Sequence, residues 1–488
     1  MKDYVIFGTG VIFTKHISKI RESVNIIACL DNNEKKHWTK IDNIPIYPVG
    51  EIKNLNYEKI ILLVNPQNAI EIKNQLCSLG VDASRILFYE HFVAEISGNR
   101  YEVYSPKVSI QSTKNKKVCI ISTALNYNGG TIAVCNLARV LISAGYDITL
   151  VSFEANNELI KELNSDDIKI ILYPAILNLL ENTISFFDSY DFIIVNTLQM
   201  IDCAVKVSKN KKVLWWLHEP SDKYSTIYKN TLALHPEYRN CSFDNISIYA
   251  VSSVAKRNFH YYYPDVECRI LPCSLPDYID TGDCKRQDKL IFALIAGFSP
   301  LKAQKDFLLA ASEIEKKYPD MVEFWLIGNI GSSDYSKEIV NLSKKMISVK
   351  IWGLKTQEEI KSLYKEISVV VCPSYEETLS IVTVEGFMNH KTCIVSEETG
   401  ASAYIQHLGN GLKCKAGDIA SIADCMEWCI NNRDKLSTIG NNARKIYEEN
   451  FSMEIQKRNI MKICKLTGGV PDPEIINQKA FINFTGNN

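Results

Sequence analysis

Two carboxylates, Glu377 and Glu385, stand eight positions apart in the run PSYEETLSIVTVEGF (373–387), and the residues between them are almost all uncharged. An ordinary core segment has no use for acids at both ends, so the spacing raises a question of chemistry. SVVVCPS, just ahead, reads as a buried strand, and SIVTVEGFMN reads as a helix beginning near Ser380. The first N–H groups of such a helix, those of Ser380, Ile381 and Val382, have no intrahelical partner and suit phosphate or sugar oxygens in a crevice. Glu377 then lies in the loop before these donors. Glu385 falls one to two turns into the helix, on a face that reaches past phosphates toward a ribose. The plainer alternative is a capping acid followed by a solvated helix acid.

Other residues fit the same chemistry. In AGFSPLKAQKDF, Lys302 opens a helix shortly after Gly297, where an ammonium and a helix N-terminus together neutralise a diphosphate. Taken alone it is a surface lysine. His218 and Glu219 follow the apolar strand VLWWL, so they belong at the carboxyl edge of a parallel sheet, where open sheets bind ligands. Gly129 and Gly130 sit where a strand hands over to a helix and leave backbone bare for a bulky polar ligand; a GG pair is also simply a turn. Near the N-terminus, Gly8 and Gly10 follow a strand and Asp31 ends the next, a partial dinucleotide fingerprint with Phe13 in place of its third glycine. That pattern reads either as a nucleotide site or as a tight turn that binds nothing.

These residues need elements to position them, and the composition permits several domains. The chain has 488 residues, 46% hydrophobic and 23% charged, the profile of a soluble globular protein too long for one core. With 55 basic against 56 acidic residues, no domain is built to neutralise nucleic acid. The 15 cysteines are scattered without CxxC pairs, which points to buried free thiols, no zinc site and a reducing compartment. MKDYVIFGTG has no basic leader, and no apolar run approaches the ~20 residues that cross a bilayer. A cytoplasmic protein is expected, with any membrane contact peripheral. The cluster AKRNFHYYYP mixes cations and rings that suit an interface or, preferably, packing between domains.

Short β-branched runs alternate with longer helical stretches, the mark of parallel sheets covered on both faces. Three α/β units are expected: a Rossmann-like accessory unit over 1–105, a second over 116–280 and a third over 288–455. A helix at 456–470 and a tail at 471–488 follow. SPKVSIQSTKNKK and IDTGDCKRQDK read as the linkers between units.

In order, GG at 129–130, HE at 218–219, AVSSVAKRNF, KAQKDF, LIGN, WG with EEIKSLYKEISVVVCPS, the two glutamates and TGASAYIQHLGNGL make residues 116–466 resemble GT-B glycosyltransferases of family 4. The accessory unit, through LDNN and IPIYPVGEI, resembles small sugar-nucleotide or CoA-binding-type domains attached to bacterial glycan enzymes. The resemblance implies two Rossmann-like domains in GT-B arrangement, preceded by a smaller one. It also implies retaining transfer from a UDP- or GDP-sugar to a glycan, lipid-linked or protein-linked acceptor in surface glycan assembly, at the inner membrane face and without a metal. By the same resemblance Glu385 binds the donor ribose, Glu377 contacts the donor sugar and Lys302 stabilises the leaving diphosphate. Gly353 and Leu354 lie beside the base, and His218 lines the sugar end. Three departures stand out: Phe298 replaces the usual arginine, Ala303 replaces a glycine, and His390 or Lys391 replaces another. A non-catalytic GT-B partner subunit, or an epimerase or phosphorylase on the same fold, is the alternative.

Overall fold

The computed structural model describes residues 1–106, 116–278 and 288–466. Most of both expected linkers and the whole of the 471–488 tail fall outside them.

The first sheet comprises β1 (Asp3–Phe7), β2 (Asn25–Leu30), β3 (Lys40–Ile41), β4 (Ile44–Tyr47), β5 (Lys59–Leu62) and β6 (Ile86–Phe88). They lie in the order β3-β4-β2-β1-β5-β6, parallel except for the β3–β4 pair. Side chains along a strand alternate between faces. Tyr4 and Ile6 accordingly enter one buried cluster with Phe13, Ile17 and Ile20 of the helix Val11–Arg21. Val5 and Phe7 enter the other cluster, with Ala69, Ile72 and Leu76 of the helix Pro66–Ser78.

The second sheet contains β7 (Glu102–Tyr104), β8 (Lys117–Leu125), β9 (Asp147–Ala155), β10 (Lys169–Leu172), β11 (Phe192–Asn196), β12 (Val213–Leu217), β13 (Ile246–Ala250) and β14 (Cys268–Ile270). Its order is β14-β13-β12-β11-β8-β9-β10-β7. β7 departs from expectation. It falls within 1–105, yet it pairs antiparallel with β10 as an edge strand of the second sheet. Three residues of half-exposed EVY carry too little pattern to announce their partner.

The third sheet contains β15 (Leu290–Ile295), β16 (Val322–Ile327), β17 (Val349–Gly353), β18 (Val369–Cys372), β19 (Thr392–Ser396) and β20 (Leu412–Cys414), in the order β17-β16-β15-β18-β19-β20. Every residue of β15 is buried, because helices cover both faces and leave no polar side to the strand. Phe292, Phe307 and Phe324 form the centre of this core. Strand order reverses between β15 and β18, which pair at Phe292–Val369 and Ala293–Val370, and the carboxyl ends diverge there. The final helix runs over Met453–Leu466.

Two compact units share the chain: 1–127, 146–215 and 222–247 in one, and 128–145, 216–221 and 248–488 in the other. The expected 116–280 block contributes to both.

Candidate active site

A cavity of about 240 Å3 opens where β15 and β18 part, the switch point at which doubly wound sheets bind ligands. Leu294–Gly297 line it from the end of β15 and Val371–Ser374 from the end of β18; Lys302, Glu377, Ser380, Ile381 and Val382 complete the wall. The Lys302 ammonium donates to the Glu377 carboxylate, and both side chains are partly exposed. The geometry thus brings the cation, one of the two acids and the helix start together.

Backbone strain holds these groups. The helix runs Ile381–Met388, one residue later than expected: Ser380 is its N-cap, in the left-handed region at φ 71, and its hydroxyl accepts from Thr383 N at 3.4 Å. The N–H groups of Ile381 and Val382 stand at the open end of the helix, and both residues line the cavity. Lys302 ends a short 3-10 turn, Pro300–Lys302, and Ala303 follows at φ 56, buried. A glycine belongs in that conformation, so the departure from the family pattern at Ala303 is a real conformational cost. His390, at φ 54, occupies the other left-handed position, and this fixes it rather than Lys391 as the second substitute.

Two side chains that sequence reasoning missed fasten the loops. Gln304 is fully buried; its amide donates to Gly297 O at 3.0 Å and its oxygen accepts from Ser299 N at 3.3 Å, closing the 297–304 turn. Glu376 accepts from Ser221 N at 2.9 Å and from Asn258 Nδ2 at 2.8 Å, which ties the segment after His218–Glu219 and the helix Ser253–Tyr262 to the Glu377 loop. The TGASAY motif supports that loop from behind. Gly400 N donates to Glu377 O at 2.9 Å and Ala401 N to Leu379 O at 3.1 Å, and a Cβ at Gly400 would strike Thr378 O.

Glu385 is not among the residues lining this cavity; its carboxylate accepts from Tyr364 at 3.2 Å and from Tyr278. Burial pushes this carboxyl up to about 7, against the pull of both phenols and of Lys361. Tyr278 stands just before the second linker, and nothing in its local sequence points to this partner.

His218 lies elsewhere in the same unit. Its Nε2 is buried without a partner, its ring packs edge-on against Trp216 at 4.5 Å, and burial pushes its pKa down to about 3. It is a neutral hydrogen-bonding group and a poor base. Glu219 accepts from the His218 backbone N–H at 3.0 Å. Gly129 and Gly130 begin the helix Gly129–Ser143, capped by Asn128; no backbone lies within 4 Å of a Cβ at either. Gly353 takes φ 69 and Leu354 beside it is 75% exposed. None of these five lines the cavity. Phe298, where the family has arginine, packs against the core of the third sheet. Among the residues lining the cavity, Lys302 is the sole cation.

In the accessory unit the turn has an internal explanation. A Cβ at Gly8, φ 99, would lie 2.6 Å from Val64 and 2.8 Å from Leu63 O, so packing alone requires glycine. Gly10 caps the first helix with open space around it. Asp31 already accepts from Thr9 N and its hydroxyl and from Lys36 on Oδ2, and from Asn33 N on Oδ1. The expected ribose acid is engaged within the fold. In AKRNFHYYYP, Phe259 and Tyr263 are buried and Tyr261 is exposed. No helix among the described residues is long and apolar enough to cross a membrane, and no cluster of three or more metal-binding side chains occurs among them.

Comparison with known proteins agrees with this architecture. Residues 283–446 match the family of glycosyl transferases group 1, residues 114–237 glycosyl-transferase family 4, and residues 1–87 the C2185-like N-terminal domain. The chain is a glycosyltransferase of the GT-B fold, carrying an additional N-terminal α/β domain. It is 21% identical over 350 residues to an uncharacterised glycosyltransferase of Haemophilus influenzae, covering 68% of this chain and 96% of that one. It is 26% identical over 216 residues to the capsular polysaccharide biosynthesis glycosyltransferase CapM of Staphylococcus aureus, 37% of this chain and 57% of that protein. Anabaena HepE, solved in complex with UDP and glucose, superposes with a TM-score of 0.59 at 17% identity over 72% of this chain and all of HepE.

Proposed function

We propose that the protein moves a sugar, with retention of configuration, from a UDP- or GDP-sugar to a glycan, lipid-linked or protein-linked acceptor in surface glycan assembly, on the cytoplasmic side of the membrane. The Lys302–Glu377 pair at the mouth of the helix Ile381–Met388 carries the reading. When the bond from the anomeric carbon to the leaving phosphate breaks, negative charge grows on the diphosphate. Lys302 and the N–H groups of Ile381 and Val382 are fixed in advance to meet it. The acceptor hydroxyl attacks from the same face and passes its proton to the departing phosphate oxygen; the products are the glycoside and the nucleoside diphosphate. Glu377 holds the ammonium in the free enzyme and turns to the donor sugar when the diphosphate takes the cation. His218, neutral at physiological pH, serves as a hydrogen-bonding group to a sugar hydroxyl. Gly129 and Gly130 leave room for the donor, and Gly353 and Leu354 flank its base. No metal takes part in this scheme.

The test is nucleoside diphosphate release from a panel of UDP- and GDP-sugars, with and without acceptor glycans and with excess chelator. Chelator-resistant turnover that disappears in Lys302→Ala supports the reading; absence of turnover and of donor binding across the panel refutes it. Phe298 favours a second reading, a GT-B subunit that binds a partner transferase or glycan without catalysis, because the phosphate-binding arginine is replaced by a core side chain. Under that reading Lys302→Ala and Glu377→Ala leave cellular function intact.

A further inference from the structure

The unit formed by residues 1–127, 146–215 and 222–247 contains a separate cavity of about 190 Å3, far above the ~10–15 Å3 that one water needs. Its walls come from the carboxyl edges of two sheets. Pro66 follows β5 and Glu90 follows β6 in the first sheet, and Leu177 and Gln199 follow β10 and β11 in the second. The helix Ser221–Leu234 adds Ile227, Asn230 and Thr231, spaced three and four apart on one face.

The chemistry of the lining is selective. Asn230 Oδ1 is buried and meets no partner. Asp202 is already committed: it accepts from Tyr238 at 2.6 Å and Leu179 N at 2.9 Å and pairs with Lys206 at 2.7 Å, so it serves as wall. None of the lining residues is lysine or arginine, and His235, which also lines the space, stands 3.8 Å from Asp202 and 3.4 Å from Glu237, so no cation is left over for a phosphate. Glu90 and Asp202 place two carboxyl groups on the wall, which disfavours an anionic ligand. What remains is a space lined by acceptors and donors together with Pro66, Leu177 and Ile227. It suits a compact uncharged ligand with hydroxyl or amide hydrogens along its edge and a C–H face.

We propose that this cavity is a binding site for one uncharged glycosyl unit, held jointly by the accessory domain and the second sheet and independent of the nucleotide-sugar reading of the Lys302 cavity. Asn230 accepts from the sugar, Glu90 and Thr231 complete its polar edge, and Ile227 and Leu177 cover its apolar face.

Saturation-transfer NMR on the full chain tests it, using the methyl glycosides of glucose, galactose, N-acetylglucosamine and N-acetylgalactosamine as probes and UDP as the competitor. At least one glycoside is expected to bind in the presence of saturating UDP. Its affinity should fall at least tenfold in Asn230→Leu or in the milder, near-isosteric Thr231→Val, with UDP binding unchanged. No glycoside signal on the wild-type chain, displacement by UDP, or undiminished binding in both folded variants would overturn the proposal. Glycoside binding with neither UDP nor GDP bound would sustain this site while refuting the donor reading.

Discussion

Glu385 accepts from Tyr364 and Tyr278 in a buried setting that pushes its carboxyl up to about 7, and a consequence for pH follows. The folded pKa lies above the unfolded value of about 4.5, so the folded state holds a proton that the unfolded chain has lost between these limits. The contribution of Glu385 to stability is complete below about 4.5 and disappears as pH rises through about 7. Melting temperatures of wild type and Glu385→Gln should therefore diverge in favour of the variant above pH 7. Equal pH profiles for the two proteins would show that Glu385 is not the titrating group.

The elements that carry the site store strain at defined positions. Ala303 and His390 sit at φ 56 and 54, where an L residue costs ~1–2 kcal/mol. Glycine returns ~0.5–1 kcal/mol of this as unfolded-chain entropy. Ala303→Gly and His390→Gly are each expected to stabilise the chain by about 0.5–1 kcal/mol in urea unfolding, less at 390, where the ring also bonds Asn441 at 2.8 Å. Gly400→Ala is expected to act in the opposite sense. Its Cβ meets Thr378 O and Ser252, and overpacking of this kind costs ~1–3 kcal/mol while displacing the Glu377 loop. Donor binding should drop with stability in that variant and remain in the other two. Central strands such as β12, β15 and β18 were legible as uninterrupted apolar runs because both faces are covered, and Lys302 and Glu377 were legible because each follows such a run. Glu376 was not: its partner Ser221 is 155 positions away, and an acid beside Glu377 looks like loop polarity. The pairing of β7 was hidden for the same reason, since an edge strand takes its meaning from a neighbour and not from its own residues.

Across the whole molecule, the chain joins an accessory α/β domain to a GT-B glycosyltransferase. The accessory turn at Gly8 and Asp31 is explained by packing and internal hydrogen bonds, while the cavity that Pro66 and Glu90 help to line gives that domain a separate use. The central claim concerns the third sheet, where one ammonium is the sole cation lining the cavity. Calorimetric titration of UDP- and GDP-sugars into the full chain and into Lys302→Ala and Glu377→Ala tests it most directly. A charge-assisted bond is worth ~1.5–3 kcal/mol, so one donor should bind with a single site and lose roughly ten- to a hundred-fold in affinity in Lys302→Ala. A donor that binds Lys302→Ala as tightly as the wild type would contradict the account.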